Sequence, residues 1–249
     1  MMKICTIIPC RFNSTRFPGK PLEILNNKPL LYYPYTEAEK NKNIDKVYIA
    51  TDDKRIADTC EKFGFNFIMT DSEHPTGTDR IAEAYEIIKK KENYDIIVNV
   101  QGDEPFVNQK HIDDSINSLK GNPDAHASNG ICKLTDLNDL MSHSSVKAAI
   151  SKNYKLLFLT RSGIPYPNVR TLNINYYKQL GLYAFKPEAL DVFRSNAPSN
   201  LELSESVEML RLLENDKIIS TFMVDIIGPS VDTYNDLLAA RNILKSKPL

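Results

Sequence analysis

The chain has 249 residues, of which 42% are hydrophobic and 25% are charged. This is the composition of an ordinary globular protein, and it excludes a disordered or fibrous chain. The 31 Lys and Arg residues nearly balance the 32 Asp and Glu residues, giving a net charge of −1. A global basic field for nucleic acid is therefore excluded, although a local basic pocket is not.

The four cysteines lie far apart in the sequence, with no C-x-x-C spacing: Cys5, Cys10, Cys60 and Cys132. This spacing argues against a disulfide framework and a zinc site and favours a reducing compartment, so we expect a cytoplasmic protein. The apolar run at the N-terminus is too short for a membrane-spanning helix and lacks a signal-peptide cleavage region. We expect no membrane and no nucleic acid as partner.

The first 130 residues alternate between short apolar segments, typical of strands, and segments with helical periodicity. In chain order the pattern predicts strand Ile4–Ile8, helix Leu30–Lys40, strand Lys46–Thr51, helix Asp53–Phe63, strand Asn66–Met69, helix Asp79–Lys91 and strand Asp95–Val100. Strands too apolar to face water, separated by helices, indicate a parallel sheet covered on both faces.

After about residue 130 the pattern changes to longer strands joined by loops rich in Pro and Asn. In chain order we predict strands Val146–Ile150, Lys155–Thr160 and Gln179–Phe185, helices Pro187–Arg194 and Glu202–Asn215, strand Ile218–Val224 and helix Thr233–Lys245. No flexible linker separates the halves, so we interpret the second as an elaboration of the same sheet. The predicted fold class is α/β with a mixed, mostly parallel sheet in one domain.

Three polar loops, at residues 9–20, 70–80 and 101–105, follow predicted strands at their carboxyl ends, where ligands bind in open parallel sheets. The first loop carries Arg11, Arg16 and Lys20 and no carboxylate. The forked guanidinium donors of arginine and the compact ammonium charge of lysine suit the binding of a polyphosphate. The loop is not a P-loop, because Gly19-Lys20 is followed by proline. The alternative is a solvated basic loop.

Two aspartates are candidate metal ligands on local grounds. Asp103 follows a buried strand, and a carboxylate beside phosphates suits Mg²⁺. The alternative is a turn that caps a helix before Gln109. Asp232 precedes the last predicted helix, where either Asp232 or Thr233 could instead be a simple N-cap.

The loop around Thr78 opens a predicted helix, so Thr78 is either its cap or, with Arg80, part of a surface that reads a base. The four histidines show no mutual spacing for a metal site or a catalytic triad, and we expect each on the surface or in a loop: His74, His111, His126 and His143.

Taken together, the motifs resemble those of the CMP-KDO synthetase (3-deoxy-manno-octulosonate cytidylyltransferase) family from residue 3 to about residue 240. The motifs, in order, are Pro9-x-Arg11-x-x-Ser14-Thr15-Arg16-x-Pro18-Gly19-Lys20, Gly77-Thr78-Asp79-Arg80, Gln101-Gly102-Asp103-Glu104-Pro105, Arg161-x-x-Ile164-Pro165, Leu180-Gly181-Leu182-Tyr183, Leu201-Glu202-x-x-Glu205-x-x-Glu208-x-Leu210-Arg211 and Val231-Asp232-Thr233. The first loop and the segment at residues 101–105 are the most specific.

The resemblance implies a nucleotide-diphospho-sugar transferase (Rossmann-like) fold, usually a homodimer, that uses Mg²⁺ to transfer CMP from CTP to 3-deoxy-manno-octulosonate (KDO) for lipopolysaccharide biosynthesis. It implies a nucleotide-binding half at about residues 1–130, an acceptor-binding and dimerisation half at about 131–230, and a closing helix at 231–249.

The resemblance also assigns residues by position. The catalytic residues would be Arg11, Lys20 and Asp103, and the metal ligands Asp103 and Asp232. The nucleotide-binding residues would be Pro9, Arg11, Ser14, Lys20, Thr78, Arg80 and Gln101. The acceptor-binding residues would be Gln101, Arg161, Gln179, Tyr183, Glu208 and Met209.

The sequence departs from the family pattern in the acceptor half. Gln179 stands where the family has a His, and Met209 stands where it has a Gln. A glutamine side chain can still form a hydrogen bond but carries no positive charge, and a methionine side chain offers only apolar surface. Two alternatives to KDO transfer stay open: another small anionic acceptor, such as a variant ulosonic acid or a phosphonate, and a non-catalytic nucleotide-binding relative.

Overall fold

A computed structural model describes residues 2–14, 16–166, 174–225 and 228–246. Thr15 of the first motif lies outside the described residues. The described chain forms two compact units, one within Met1–Asp113 and Ile227–Leu249 and the other within Asp114–Ile226. Across the described ranges, no helix combines the length and the apolar character needed to cross a membrane.

The first unit is built on four parallel strands. The elements up to the boundary between the units are β1 (Ile4–Cys10), a 3-10 turn (Lys20–Leu22), β2 (Ile24–Leu25), β3 (Lys28–Pro29), α1 (Tyr32–Glu39), β4 (Lys46–Thr51), α2 (Lys54–Phe63), β5 (Phe67–Met69), α3 (Gly77–Ile88), β6 (Ile96–Val100) and α4 (Gln109–Lys120), in which the boundary falls. The parallel strands lie in the order β6-β1-β4-β5, and β2 and β3 form a separate antiparallel pair.

Strand β1 extends through Pro9 to Cys10, so the predicted end at Ile8 is wrong. Pairing with β6 stops at Ile7, while pairing with β4 continues, with Pro9 opposite Ala50. Proline lacks an N–H and is tolerated where a strand has lost its neighbour on one side. The basic loop therefore leaves the sheet two residues later than predicted, after Cys10.

Helix α2 confirms the helix that apolar periodicity predicted at Asp53–Phe63. Its cap Asp53 accepts a hydrogen bond from the Arg55 N–H at 2.9 Å, and Gly64 ends the helix at φ 72°. Helix α3 begins at Gly77, two residues before the predicted start. Thr76 caps it by accepting the Asp79 N–H at 3.2 Å, so the proposed capping role of Thr78 is wrong.

The second unit contains a mixed set of strands. Its elements are β7 (Ala127–Lys133), α5 (Leu137–Met141), β8 (Lys147–Ile150), β9 (Leu156–Thr160), β10 (Tyr177–Phe185), α6 (Pro187–Ser195), α7 (Asn200–Glu205), α8 (Leu210–Glu214) and β11 (Ile219–Met223). Strand β7 pairs antiparallel with β10 and parallel with β11. Strand β8 pairs antiparallel with both β9 and β10.

The prediction of one helix over Glu202–Asn215 is wrong, because two short helices occupy this range. Ser206 ends α7 in the left-handed region, at φ 52°, and α8 begins only at Leu210. Strand β7 escaped prediction because two consecutive buried residues, one on each face, are polar. Ser128 and Asn129 are fully buried and satisfied by hydrogen bonds, so the apolar alternation that reveals a strand is missing.

The last helix, α9 (Tyr234–Ser246), returns the chain to the first unit. Its apolar face joins a buried cluster made of Leu25, Leu30, Tyr33, Val231, Leu237, Ala240 and Leu244. The N–H of Val231 donates to the carbonyl oxygen of Asp103 at 2.9 Å. Packing of this helix therefore brings Asp232 to the end of β6.

Candidate active site

A cavity of about 210 Å³ lies in the first unit, at the carboxyl ends of its parallel strands. The three polar loops identified in the sequence all contribute to its wall. The predicted nucleotide and metal residues that line it are Pro9, Arg11, Ser14, Lys20, Arg80, Gln101, Asp103 and Asp232. Six further residues line the cavity that the sequence analysis assigned to neither the nucleotide nor the metal: Cys10, Pro21, His74, Thr76, Gly77 and Gly102.

The centre of the cavity wall is an ion-pair network around Lys20. The Lys20 Nζ lies 2.5 Å from Asp103 Oδ2 and 3.1 Å from Asp232 Oδ1. Arg16 contacts the same oxygen of Asp232 at 3.0 Å. Burial acts to lower the pKa of Lys20, but the charges and hydrogen bonds of the two aspartates outweigh it and raise that pKa. The ammonium therefore stays charged at neutral pH.

Neither aspartate is the cap of the helix that follows it, and of the two cap candidates before the last helix the structure selects Thr233. At α9, Thr233 and Asp236 make the cap: the Thr233 Oγ1 donates to Asp236 Oδ2 at 2.8 Å and accepts from the Asp236 N–H at 3.3 Å. At α4, the Oδ1 of Asn108 accepts the His111 N–H at 3.1 Å. Both carboxylates instead line the cavity.

Gly102 fixes where Asp103 stands, because no side chain fits at position 102. A Cβ there would lie 2.6 Å from the Sγ of Cys10 and 3.2 Å from the carbonyl oxygen of Pro9. The turn after β6 therefore packs directly on β1. This close approach delivers Asp103 to the basic loop.

The Gly102→Ala substitution is expected to destabilise the protein by about 1–3 kcal/mol, because it forces overpacking against β1. Urea denaturation measures the change. Adding Cys10→Ala removes the nearest clashing atom, so the double variant should lose less stability than the sum of the two single changes. Strict additivity would show that Gly102 does not contact Cys10 in solution.

Arg80 holds the wall of the cavity from inside the fold. Its Nη1 donates to the Thr70 Oγ1 at 2.6 Å and to the Asp71 carbonyl oxygen at 3.2 Å. It also lies 3.2 Å from Asp52 Oδ1, an ion pair without hydrogen-bond geometry. Burial lowers the pKa of Arg80, an effect that Asp52 opposes. Thr78 is fully buried in α3 and does not line the cavity; its nucleotide-binding role stays a prediction.

His74 lies in a loop, as expected, but also lines the cavity. Its Nε2 is 2.5 Å from the Oε2 of Glu83, which also accepts the Asp71 N–H at 2.8 Å. Helix α3 thus fixes this loop through both Arg80 and Glu83. The expectation of a surface or loop position is wrong for His111, which is buried in α4.

The basic loop is held by an aromatic side chain that motif reasoning overlooked. The Gly19 N–H donates to the Phe12 carbonyl oxygen at 2.8 Å, and Gly19 adopts φ 73° over the Phe12 ring. The guanidinium of Arg55 lies 3.2 Å from the centroid of that ring. Arg11 itself is exposed at the cavity, so its charge is accessible to a ligand.

Arg161, a predicted acceptor residue of the second unit, uses its guanidinium to tie down nearby backbone. It donates to the carbonyl oxygens of Glu205 at 2.7 Å, His143 at 2.9 Å and Ser206 at 3.2 Å. These bonds fix the left-handed end of α7. Acceptor binding by Arg161 stays a prediction.

The other predicted acceptor residues of the second unit differ in exposure. Gln179 is half-buried, and its Nε2 donates to Asn129 Oδ1 at 3.0 Å. Tyr183 is buried, Glu208 is half-buried and Met209 is fully buried. Their contacts with an acceptor also stay predictions.

Comparison with known proteins identifies the family. Residues 5–219 match the sequence model of the family described as Cytidylyltransferase. The chain belongs to the cytidylyltransferase family. It is therefore a nucleotidyltransferase enzyme, which confirms the predicted family and enzyme class.

Two relatives of this cytidylyltransferase align over nearly their whole length. It is 38% identical to the 3-deoxy-manno-octulosonate cytidylyltransferase of Thermodesulfovibrio yellowstonii, covering 99% of each chain. It is 37% identical to the enzyme of the same name from Cytophaga hutchinsonii, covering 95% of this chain and 96% of that one.

Solved structures confirm the predicted fold class. A CMP:2-keto-3-deoxy-manno-octonic acid synthetase complexed with CTP matches with a TM-score of 0.91 and 31% identity, over 98% of this chain and 99% of that one. The 4-diphosphocytidyl-2C-methyl-D-erythritol synthase of Anaerococcus prevotii matches with a TM-score of 0.63 at 16% identity, over 98% of this chain and 99% of that one. The second likeness shows the fold alone.

Proposed function

We propose that the chain transfers CMP from CTP to KDO and releases pyrophosphate. The observation that carries the proposal is the cavity in which Lys20 joins Asp103 to Asp232 beside a loop rich in cations. The names of the two full-length relatives and the CTP complex of the similar structure support the same substrates.

In this reaction the anomeric hydroxyl of the acceptor attacks the α-phosphorus of CTP. The new bond joins that oxygen to phosphorus, the hydroxyl releases its proton, the α–β phosphoanhydride bond breaks, and pyrophosphate leaves with the electron pair. Arg11 and Lys20 would neutralise charge on the triphosphate and the leaving group. Phosphoryl transfer needs positioning and electrostatics more than covalent help from the protein, so no nucleophilic side chain is required.

The residues present fit the Mg²⁺ that the family resemblance implies. Mg²⁺ prefers one or two carboxylates completed by phosphate oxygens and waters. The carboxylates of Asp103 and Asp232 both contact the Lys20 ammonium. Their side chains are 25% and 35% exposed, so phosphate oxygens and waters can approach them. Bound there, the ion would stabilise charge on the transferring phosphoryl group. The described residues contain no group of three His, Cys, Asp or Glu side chains that could hold a metal ion.

We also propose a homodimeric, cytoplasmic enzyme that supplies activated KDO for lipopolysaccharide. The family resemblance supports the assembly and the pathway, and the four free cysteines support a reducing compartment. Light scattering after gel filtration tests the assembly, with a mass twice that of the chain expected.

Pyrophosphate release tests the reaction. With Mg²⁺ and KDO, CTP is expected to support turnover, whereas ATP and GTP support little, because a site built on hydrogen bonds rejects bases that lack the matching groups. Comparable rates with ATP would contradict a cytidylyltransferase. A panel of other ulosonic acids and phosphonates tests the alternative acceptors raised by Gln179 and Met209. Pyrophosphate release with one of these compounds but not with KDO would show that this compound, and not KDO, is the acceptor.

A further inference from the structure

Lys20 occupies the space between two carboxylates that we have proposed as metal ligands. Its ammonium contacts Asp103 at 2.5 Å and Asp232 at 3.1 Å. The Lys20 side chain is only 13% exposed, less than either aspartate. The ammonium thus already supplies positive charge at the place where the proposed Mg²⁺ would supply it.

The same side chain has a second proposed partner, the triphosphate of CTP. An ammonium held against two carboxylates shields them and has part of its charge neutralised by them. Lys20 therefore cannot serve the triphosphate fully while both aspartates hold it. The two roles require two positions of one side chain.

We propose that Lys20 is an internal stand-in for the divalent cation. In the nucleotide-free protein its ammonium holds Asp103 and Asp232 together, and when CTP binds the ammonium moves to the triphosphate and leaves both carboxylates available to the metal. This inference rests on the proposed function, because it requires that the two aspartates are the metal ligands.

The side chain of Lys20 is suited to such an exchange. Lysine is a compact point charge on a flexible four-carbon stem, so its ammonium can change partners while the backbone stays in place. The backbone here is fixed, since the Leu22 N–H donates to the Gly19 carbonyl oxygen at 2.9 Å and the Glu23 N–H to that of Lys20 at 3.1 Å.

Arg16 is poorly placed for the same task. It contacts Asp232 alone in the described structure, at 3.0 Å, and its side chain is 65% exposed. Water screens an exposed ion pair of this kind, which contributes little. Lys20 is therefore the cation that bridges the pair.

The exchange makes metal and nucleotide binding interdependent. A metal ion that enters without CTP has to displace a charged side chain, whereas a metal ion that enters after CTP does not. Because coupling between two ligands is reciprocal, bound metal in turn strengthens CTP binding. The free enzyme should accordingly bind a divalent cation weakly.

Mn²⁺ binding to the intact enzyme tests the inference, followed by electron paramagnetic resonance with Mn²⁺ as the probe. Without nucleotide, Lys20→Met is expected to bind Mn²⁺ at least about tenfold more tightly than the natural chain, since about 1.5 kcal/mol for one charged hydrogen bond corresponds to tenfold. Lys20→Arg, which keeps a cation, should stay close to the natural affinity. Lys46→Ala, which removes an exposed lysine paired with Glu92, is the matched control.

Thermal unfolding gives a second readout that needs no turnover. Mg²⁺ without CTP is expected to raise the Tm of Lys20→Met and Lys20→Gln by several degrees while leaving the natural chain nearly unchanged, because a cation that binds only the folded state stabilises it. Circular dichroism confirms that each variant is folded. Adding Asp103→Asn to Lys20→Met should abolish the gain in affinity.

The outcomes separate this inference from the proposed function. If folded Lys20→Met and Lys20→Gln bind Mn²⁺ no better than the natural chain, while the natural chain forms a ternary Mn²⁺ complex with CTP, the stand-in role is wrong and the metal site stands. If the natural chain forms no ternary complex, with a spectrum distinct from that of Mn²⁺–CTP in solution, the proposed metal role fails and this inference fails with it.

Discussion

Asp103→Asn is expected to lower the kcat of CMP transfer by about 10²-fold or more, because charge stabilisation of a transferring phosphoryl group contributes on that scale. Asparagine keeps the volume of the side chain and can still accept the hydrogen bond that Lys20 Nζ makes to Asp103 Oδ2. The substitution therefore removes the negative charge and leaves the packing. Pyrophosphate release from CTP and KDO measures the loss.

Two controls make that result specific. The Tm of Asp103→Asn should stay near that of the natural chain, which separates lost chemistry from lost folding. Asp58→Asn changes an exposed aspartate on α2 that does not line the cavity, and its kcat should be unaffected. A rate near normal in Asp103→Asn would return Asp103 to a purely structural role.

Arg211→Met is expected to destabilise the protein by about 3–5 kcal/mol, the usual loss when one partner of a buried ion pair is removed. The Arg211 Nε and Nη2 donate to the two carboxylate oxygens of Glu202, both at 2.7 Å, and the two side chains are 1% and 4% exposed. The substitution leaves the Glu202 carboxylate buried without its cation. The midpoint of urea unfolding measures the effect.

Arg194→Met is the matched control for this experiment, because Arg194 pairs with Asp191 at 2.9 Å on the exposed face of α6. An exposed pair of this kind contributes about 0–1 kcal/mol. The double variant Arg211→Met with Glu202→Gln should recover part of the lost stability, since it leaves no buried charge. Equal losses in Arg211→Met and Arg194→Met would mean that the buried pair contributes no more than an exposed one.

Arg211, the last residue of the motif at residues 201–211, also binds backbone and an aromatic ring. Its Nη1 donates to the carbonyl oxygens of Phe193 at 3.3 Å and Asn196 at 3.2 Å, and the guanidinium lies 4.7 Å from the centroid of the Phe193 ring. Glu202 additionally completes the capping box of α7 with Ser199. This arginine therefore joins α6, α7 and α8.

The local pattern was sufficient to predict the parallel strands of the first unit and the loops that follow them. The bounds of β4 agree with the prediction, and every residue of β6 is buried, as a run that is apolar at every position but Asn99 indicated. Apolar periodicity reports burial directly, and a polar loop after such a strand lies where ligands bind. The basic loop and Asp103 could therefore be assigned to one edge of the sheet.

The local pattern failed to predict an element where buried residues are polar, or where a single residue in the left-handed region ends a helix. Ser206, in the left-handed region, divides a segment whose composition favours one helix. The buried polar residues Ser128 and Asn129 interrupt the apolar pattern by which β7 could have been predicted. For the helix caps, the sequence offered Asp232 and Thr233 before α9 and a turn before Gln109 at α4, and hydrogen-bond geometry selected Thr233 and Asn108. Sequence offers several candidates for each such bond, and only the folded backbone selects one.

What the sequence by itself determined is the chemical character of the site: a basic loop, an aspartate at the end of a buried strand and a second aspartate before the last helix. Only the tertiary structure decided that Lys20 joins Asp103 and Asp232, which lie 83 and 212 residues from it along the chain. Those contacts depend on the burial of α9 and on the close approach of Gly102 to β1. Long-range packing has no local signature, so periodicity and spacing could assign the basic loop and Asp103 to one edge of the sheet but could not predict that Lys20 contacts both aspartates.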